Sequence, residues 1–332
     1  MKRIHTYLVG GLISLVSLVS IAGPLRDLIA ERVKERRETR QNEASAGSTT
    51  TVEMRFDGRN RTFTIHLPKG YNPSKNTPLV LAFHGGGGSM EFMGKDSNYH
   101  LISKSDSAGF ILALPNGVGT IGDKLATWNA GRCCGKARDE NVNDVGFAKA
   151  VVEYMKQHYS VDARRVYAIG MSNGGMMSHR LACEASDVFT AIASVAGTDN
   201  TTSCNPSRPI PILHIHAKDD DHVLYNGGAG EGAFRDESKV TDFTSVPQTI
   251  NNWASRNRCS SAPAKRTLTV AGAYCEDRTG CAGDATVRLC ATDTGGHSWP
   301  GGGQTRSDKA GPSQAISAND EIWRFFGQVP MK

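Results

Sequence analysis

Residues 166–177 read VYAIGMSNGGMM, an apolar run followed by a serine set among glycines. The first four of these residues predict a buried strand, and the residues from Gly175 onward predict a helix. A G-x-S-x-G pattern between a strand and a helix is typical of a nucleophile elbow, a turn that exposes a serine hydroxyl. The pentapeptide alone is common by chance. Its setting between a strand and a helix is what indicates Ser172 as a nucleophile.

The rest of the chain alternates between strand-like apolar runs and segments with helical spacing. Strands are predicted at 52–56, 61–67, 78–83, 110–114, 166–169, 191–195, 210–215 and 286–291. Helices are predicted at 97–108, 144–159, 174–185, 246–257 and 312–326. Strands that alternate with helices predict an α/β fold with a mainly parallel central sheet and helices on both faces. Together with the elbow, this pattern predicts the α/β-hydrolase fold.

The first 50 residues differ in composition from the remainder. Two basic residues followed by an apolar segment predict a signal peptide at 1–22, and therefore a secreted or periplasmic protein. An uncleaved N-terminal anchor is the alternative, and it is the one membrane association that we predict. Residues 23–50 are predicted to be a polar spacer, with a partner-binding helix at 25–40 as the alternative. Residues 51–332 are the predicted catalytic domain.

Overall composition is that of a globular protein. The 332 residues are 39% hydrophobic and 21% charged, which allows a sizeable buried core. The net charge is +5, and much of that excess lies before residue 45. The chain has no long basic stripe with interleaved aromatic residues, so we predict no nucleic-acid partner.

The eight cysteines agree with export. An even number in an exported chain predicts disulfides, four at most, and the last four cysteines are expected to pair among themselves. A zinc site is disfavoured, because there is no C-x-x-C pair and the vicinal Cys133 and Cys134 have poor geometry for it.

A glycine run follows the strand predicted at 78–83. Residues 84–88 read HGGGG, and consecutive glycines let backbone N–H groups approach a substrate oxygen closely. An oxyanion hole in this fold takes one donor from such a loop and another from the residue after the nucleophile. These donors are predicted to be Gly86, or its neighbour, and Asn173.

A serine nucleophile needs a base, and the base needs an acid that orients it. The fold predicts that the acid follows a strand beyond Ser172. The strand at 210–215 is followed by three adjacent aspartates, Asp219, Asp220 and Asp221. Their spacing does not separate them.

The base is expected from a late loop. His297 lies among glycines at 295–301, between the strand at 286–291 and the last helix, and glycines leave this loop free to bring an imidazole to the serine. His222, beside the acid loop, is the main rival among the ten histidines. Other histidines are predicted to be surface or packing residues: His158, His179, His214 and His216.

From about residue 52 to 327, the chain resembles the bacterial polyhydroxybutyrate-depolymerase and feruloyl-esterase-like family of α/β-hydrolases. The motifs that carry the resemblance are HGGGG at 84–88, WNAGRCCG at 128–135, NDVGF at 143–147, GMSNGGMM at 170–177, VAGT at 195–198 and GGHSWPGG at 295–302. Several long motifs in the same order make the resemblance specific. It implies hydrolysis of carboxylic esters through an acyl-enzyme, with no cofactor and no metal.

The resemblance also implies the acid. The family pattern His-x-x-x-Asp falls on His216 and Asp220, so Asp220 is the expected partner of His297. A proline is common after that acid in the family, whereas Asp221 and His222 stand here. This departure keeps Asp219 open as the alternative.

The substrate is expected to be a small-molecule or oligomeric ester. The resemblance puts Trp128 and Trp299 near the mouth of the site, where aromatic walls suit a feruloyl or cinnamoyl ring. They also suit hydroxyalkanoate oligomers, or simple packing. Two alternative functions are an acyltransferase or peptidase on the same triad, and a catalytically inactive hydrolase-like scaffold.

Overall fold

The computed structural model describes residues 47–119, 125–233, 241–305, 307, 309 and 311–330. Every described residue belongs to one compact unit of the chain, Ala44–Lys332. The predicted signal peptide at 1–22 and nearly all of the spacer at 23–50 lie outside the described residues.

Ten strands form one sheet in the described part of the chain. They are β1 (Thr49–Phe56), β2 (Arg59–His66), β3 (Thr77–Phe83), β4 (Ile111–Pro115), β5 (Val161–Met171), β6 (Ala191–Val195), β7 (Ile212–Ala217), β8 (Lys265–Val270), β9 (Ala273–Arg278) and β10 (Val287–Thr292). The α-helices are α1 (Met90–Gly94), α2 (Asp96–Tyr99), α3 (Leu101–Ala108), α4 (Gly135–Asp139), α5 (Asp144–His158), α6 (Asn173–Glu184), α7 (Val246–Arg256) and α8 (Ala318–Phe326).

The sheet is parallel at its centre and antiparallel at both ends. Its order is β1-β2-β4-β3-β5-β6-β7-β10-β9-β8. The strands from β4 to β10 in that order run parallel. Two hydrophobic cores lie on opposite faces, one packed with α5, α6 and α7 and the other with α1, α3 and α8. The predicted α/β-hydrolase fold is confirmed. The carboxyl ends of the parallel strands meet at one edge, where this fold class forms its sites.

Several boundaries differ from those predicted, and three of them bear on the fold. The helix expected at 97–108 is two helices, because His100 has a left-handed conformation (φ 53°). The last helix begins at Ala318 rather than 312, where the Ser317 side chain accepts from the N–H of Asp320 and caps it. The sheet starts at Thr49, two residues before the predicted domain boundary at 51.

The β8–β9 hairpin was not predicted. β8 is mostly exposed, and its sequence KRTLTV has only two apolar residues, Leu268 and Val270, so its strand signal is weak. Among the described residues, no helix has both the length and the apolar character needed to cross a bilayer.

All eight cysteines are paired. The bonds are Cys133–Cys134, Cys183–Cys204, Cys259–Cys281 and Cys275–Cys290, so the last four do pair among themselves as predicted. Cys183–Cys204 joins the end of α6 to a loop across a separation of 21 residues. A loop of this size contributes about 3 kcal/mol by restricting the unfolded chain. The pairing indicates that the protein matures in an oxidising compartment.

Candidate active site

Ser172 lies at a sharp turn between β5 and α6. Its backbone has φ 55° and ψ −122°, a conformation that L-residues rarely adopt. Its N–H donates to the carbonyl oxygen of Val195 on β6 at 2.8 Å, which holds the turn against the neighbouring strand. A side chain at Gly174 would collide with the carbonyl oxygen of Phe83, and one at Gly170 would collide with that of Gly174. The glycines of the pentapeptide therefore permit the close approach that the turn requires.

The glycine-rich loop after β3 lies directly against this turn. A Cβ at Gly85 would be 3.4 Å from the Cβ of Ser172, and one at Gly86 would be 3.6 Å from the Cβ of Asn173. Asn173 is the first residue of α6, and the first N–H groups of a helix have no intrahelical acceptor. The helix dipole also favours negative charge here. The arrangement can hold an oxyanion beside Ser172.

His84 fixes the shape of that loop. The Gly117 N–H donates to His84 Nε2 at 3.0 Å, and His84 Nδ1 lies 2.8 Å from the Gly85 carbonyl oxygen. The ring is therefore protonated on Nδ1, which donates to Gly85. Burial lowers the pKa of His84 to about 4, so the ring is neutral at ordinary pH. A neutral imidazole with both nitrogens bonded is a rigid brace for the loop.

Trp128 is a structural residue of the site. Its indole Nε1 donates to the His84 carbonyl oxygen at 3.0 Å. Its backbone N–H and carbonyl bond the Asn173 side-chain amide at 2.7 and 3.0 Å. The side chain is fully buried and does not line the cavity. The predicted substrate contact at Trp128 is therefore corrected, because this residue lies beneath the loop. Trp299, the second predicted contact, does line the cavity.

His297 and Asp220 are hydrogen-bonded. His297 Nδ1 lies 2.9 Å from Oδ2 and 3.1 Å from Oδ1 of Asp220. Oδ1 also accepts from the backbone N–H groups of His222 and Val223, at 2.8 and 2.9 Å. Burial raises the pKa of Asp220, but the charge of His297 and hydrogen bonds from His216 and His297 outweigh it and hold the pKa far below the usual value. This carboxylate is therefore ionised across the whole ordinary pH range.

The neighbouring aspartates have different partners. Asp219 accepts from the backbone N–H groups of Gly295 and Gly296, at 3.3 and 2.8 Å, and so anchors the loop that carries His297. Asp221 pairs with Lys309 and with Nδ1 of His222, each at 2.6 Å. The three aspartates are therefore distinguished by their partners: Asp219 bonds the loop that carries His297, Asp220 bonds His297 itself, and Asp221 bonds Lys309 and His222.

His222 stacks on His297. The ring centroids are 4.4 Å apart and the planes differ by 11°. Burial, and then the charge of His297, lower the pKa of His222. Its Nδ1 faces Asp221 rather than Asp220, so its geometry is not that of the base paired with the acid.

Comparisons with known proteins find relatives that are named as esterases. Feruloyl esterase B of Piromyces equi is 31% identical over 247 residues, which cover 71% of this chain and 42% of that protein. The protein NocK of Nocardia uniformis subsp. tsuyamanensis, whose name provisionally describes an esterase, is 33% identical over 272 residues, covering 77% of this chain and 75% of its own. The chain belongs to the feruloyl esterase-like family of α/β-hydrolases.

A family profile and a solved structure also resemble this feruloyl esterase-like chain. The profile of the Prolyl oligopeptidase family matches residues 97–204, which include the elbow. The acetyl xylan esterase from Aspergillus awamori superposes with a TM-score of 0.56 at 16% identity, covering 85% of this chain and 99% of that structure. The chain spans less than half the length of the Piromyces equi protein.

A cavity of about 570 Å³ opens where these loops of the feruloyl esterase-like site meet. Gly86, Ser172, Asn173, His297 and Trp299 line it, whereas Asp220 is buried behind His297. Sequence analysis did not identify the remaining aromatic lining, namely Phe92, Tyr99 and Phe243. These three residues lie outside the sequence motifs, and nothing in the sequence around a single aromatic residue shows that it lines a cavity.

The described residues include two groups with metal-ligand chemistry. Atoms of Asp220, His222 and His297 lie within 4.8 Å of one another. Their fit to a metal is poor, because lone pairs on two nearly parallel stacked rings do not converge on one point. The second group contains Cys275 and Cys290, which are joined as a disulfide and so offer no thiolate.

Proposed function

We propose that this chain is a serine carboxylic-ester hydrolase with Ser172 as nucleophile, His297 as base and Asp220 as orienting acid. The observation that carries the proposal is the hydrogen bond between His297 Nδ1 and the buried Asp220 carboxylate, at the cavity that Ser172 also lines. The bond to Nδ1 leaves Nε2 of the neutral ring to accept a proton. An ester hydrolase of the feruloyl esterase-like family needs this combination of groups.

The proposed reaction proceeds in two halves. His297 Nε2 takes the Ser172 hydroxyl proton as Oγ attacks the ester carbonyl carbon, and the N–H groups of Gly86 and Asn173 bind the oxyanion. The carbon–oxygen bond to the alcohol then breaks, and His297 gives its proton to that alcohol. Water next attacks the acyl-enzyme, His297 takes a water proton, and the acid leaves as Ser172 regains its hydrogen. Asp220 stays ionised throughout and stabilises the imidazolium.

The proposed substrates are feruloyl or cinnamoyl esters. The cavity volume lies in the ordinary range for small-molecule sites. Phe92, Tyr99 and Trp299 form a continuous aromatic wall, with centroid distances of 5.9 Å and 5.4 Å between successive rings. Such a wall favours an aromatic acyl group through edge-to-face contact. Hydroxyalkanoate oligomers are the competing substrate class, and acetylated sugars are the small-acyl control.

We also propose that the protein acts outside the cytoplasm. The four disulfides support this proposal. The apolar segment at 1–22 is its proposed export signal, and mass spectrometry of the N-terminus of the exported protein would test cleavage.

A fluorophosphonate probe and an ester panel test the proposed function together. The probe is expected to label Ser172, identified by peptide mass, and methyl ferulate is expected to show a higher kcat/KM than acetylated sugars or hydroxybutyrate oligomers. Absence of both labelling and hydrolysis would support the inactive scaffold instead. Labelling accompanied by transfer to added alcohols, or by peptide cleavage, would support the acyltransferase or peptidase.

The adjacent aspartates provide a matched pair of variants. Asp220→Asn is expected to lower kcat about 10⁴-fold, because the amide cannot stabilise the imidazolium. Asp219→Asn removes a charge one residue away but leaves the acid in place, so a loss of only about tenfold is expected from the loosened loop. Initial rates with methyl ferulate measure both. A larger loss in the Asp219 variant would identify Asp219 as the acid.

A further inference from the structure

Three histidines that the proposed mechanism does not use form a row behind Asp220. His179 lies on α6, the helix that begins at the elbow, and His214 and His216 lie on β7, the strand that leads to Asp220. All three side chains are buried, with exposed fractions of 1% or less. None of them lines the cavity. Polar rings placed this deep in an apolar core need hydrogen-bond partners.

The partners are the histidines themselves. His179 Nε2 lies 3.4 Å from His214 Nδ1, and His214 Nε2 lies 3.1 Å from His216 Nδ1. His216 Nε2 then lies 2.8 Å from the Val223 carbonyl oxygen and 3.2 Å from Asp220 Oδ2. Each link thus joins an Nε2 to the Nδ1 of the next ring.

The groups at both ends determine which way the protons point. At the far end, the Trp253 indole N–H lies 2.9 Å from His179 Nδ1, and an indole can only donate. His179 must therefore carry its single proton on Nε2. At the near end, the Val223 carbonyl and the Asp220 carboxylate can only accept, so His216 must also carry its proton on Nε2. His214 completes the row only with the same tautomer.

We propose that His179, His214 and His216 are a one-directional hydrogen-bond relay that holds Asp220, with His216 as a positioning residue for the catalytic acid. This inference rests on the proposed function of Asp220. In this arrangement each ring donates from Nε2 toward Asp220. The last donor, His216 Nε2–H, donates to the Val223 carbonyl oxygen at 2.8 Å and also lies 3.2 Å from Asp220 Oδ2, on the side of the carboxylate that the backbone N–H groups of His222 and Val223 do not cover. The relay also connects the strand that carries the acid to the helix that begins at the nucleophile.

Burial disfavours a charge on two of the three relay rings, His214 and His179. Burial, followed by His216 and His179, lowers the pKa of His214 well below its usual value. Burial also lowers the pKa of His179 to about 4, although Asp199 opposes that effect. Asp199 is itself paired with Arg256, whose guanidinium lies 4.7 Å from the Trp253 ring. Asp220 is the carboxylate that His216 contacts at the near end, and His297 bonds it from the cavity side.

Nitrogen-15 NMR of the histidine-labelled wild-type protein tests the relay directly. Protonated and bare imidazole nitrogens have different shifts, so the tautomer of each ring is measurable. We expect Nε2–H with bare Nδ1 at His179, His214 and His216. A proton on Nδ1 of any one of them would break the proposed direction and overturn the relay. This measurement does not depend on activity, so it separates failure of the relay from failure of the proposed function.

Kinetics with methyl ferulate test the effect on the acid. His216→Leu removes the donor and leaves Asp220 more basic, so a protonated His297 is held more strongly. We expect kcat to fall about tenfold, and the acid limb of the kcat/KM profile to move up by about one pH unit. KM should not change, because His216 does not touch the cavity. His216→Gln keeps an amide N–H donor. We therefore expect its kcat and the position of its acid limb to lie close to the wild-type values.

His66→Leu is the matched control. His66 is another buried histidine of the same sheet that bonds an aspartate, with Nε2 2.9 Å from Asp106, but it lies outside the site. It is expected to lose stability without any shift of the acid limb. The proposal is overturned if His216→Leu behaves in the same way as His66→Leu. Should His216→Leu fail to fold, the His216→Gln profile and the wild-type tautomers decide the question.

Discussion

Ser172→Ala is expected to lower kcat for methyl ferulate about 10⁶-fold and to leave the fold intact. The loss should be this large because the hydroxyl is the proposed nucleophile, and without it the base and the oxyanion hole retain only a small fraction of the activity. Alanine adopts the strained backbone of the elbow no worse than serine does, so the melting temperature should change little. Stopped and continuous assays with purified protein, together with a thermal melt, measure both quantities.

Ser107→Ala is the control for this substitution. Ser107 lies on α3, outside the cavity, so the same chemical change there should leave kcat unaltered. Retained hydrolysis in the Ser172 variant, at more than about a hundredth of the wild-type rate, would remove Ser172 from the mechanism. Loss of activity accompanied by loss of the thermal transition would instead indicate a folding defect, and fluorophosphonate labelling of the wild type would then carry the test.

The second large effect is expected from His297→Ala, again about 10⁶-fold in kcat. His222 is the matched control for this variant, because it stacks on His297, lines the same cavity and also bonds an aspartate. His222→Ala removes one ring of the stack but leaves the base and acid bonded, so a loss of only about tenfold is expected. Both variants are measured with methyl ferulate under identical conditions. The reverse ranking of the two would make His222 the base and contradict the proposed mechanism.

The central fold was predictable because its signals are local. Runs such as the one before Ser172 are apolar throughout, as strands buried on both faces must be, and glycines flank the sharp turn at Ser172. The chain order of nucleophile, acid and base then followed from the fold. What could not be predicted depends on single contacts, such as the left-handed turn at His100 and the exposed side chains of β8.

The site residues, too, were predictable only in part. Spacing alone did not separate Asp219, Asp220 and Asp221, because three adjacent carboxylates differ only in what their loop brings to each of them. Trp128 was predicted to contact substrate, since a tryptophan in a conserved-looking motif has the same signal whether it faces a cavity or braces a loop. The three relay histidines were predicted to be packing residues. Their burial agrees with that prediction, and only their sequence of nitrogen-to-nitrogen contacts points to another role.

The strand order has a consequence for when the protein becomes active. Ser172 follows β5, Asp220 follows β7 and His297 follows β10. In the sheet β7 pairs directly with β10, and β6 lies between β5 and β7. Pairings between segments so far apart along the chain form late in folding. A partly folded chain therefore has a serine, a carboxylate and an imidazole that have not yet been brought together. Under the proposed mechanism, hydrolysis requires that β10 has already joined the sheet beside β7.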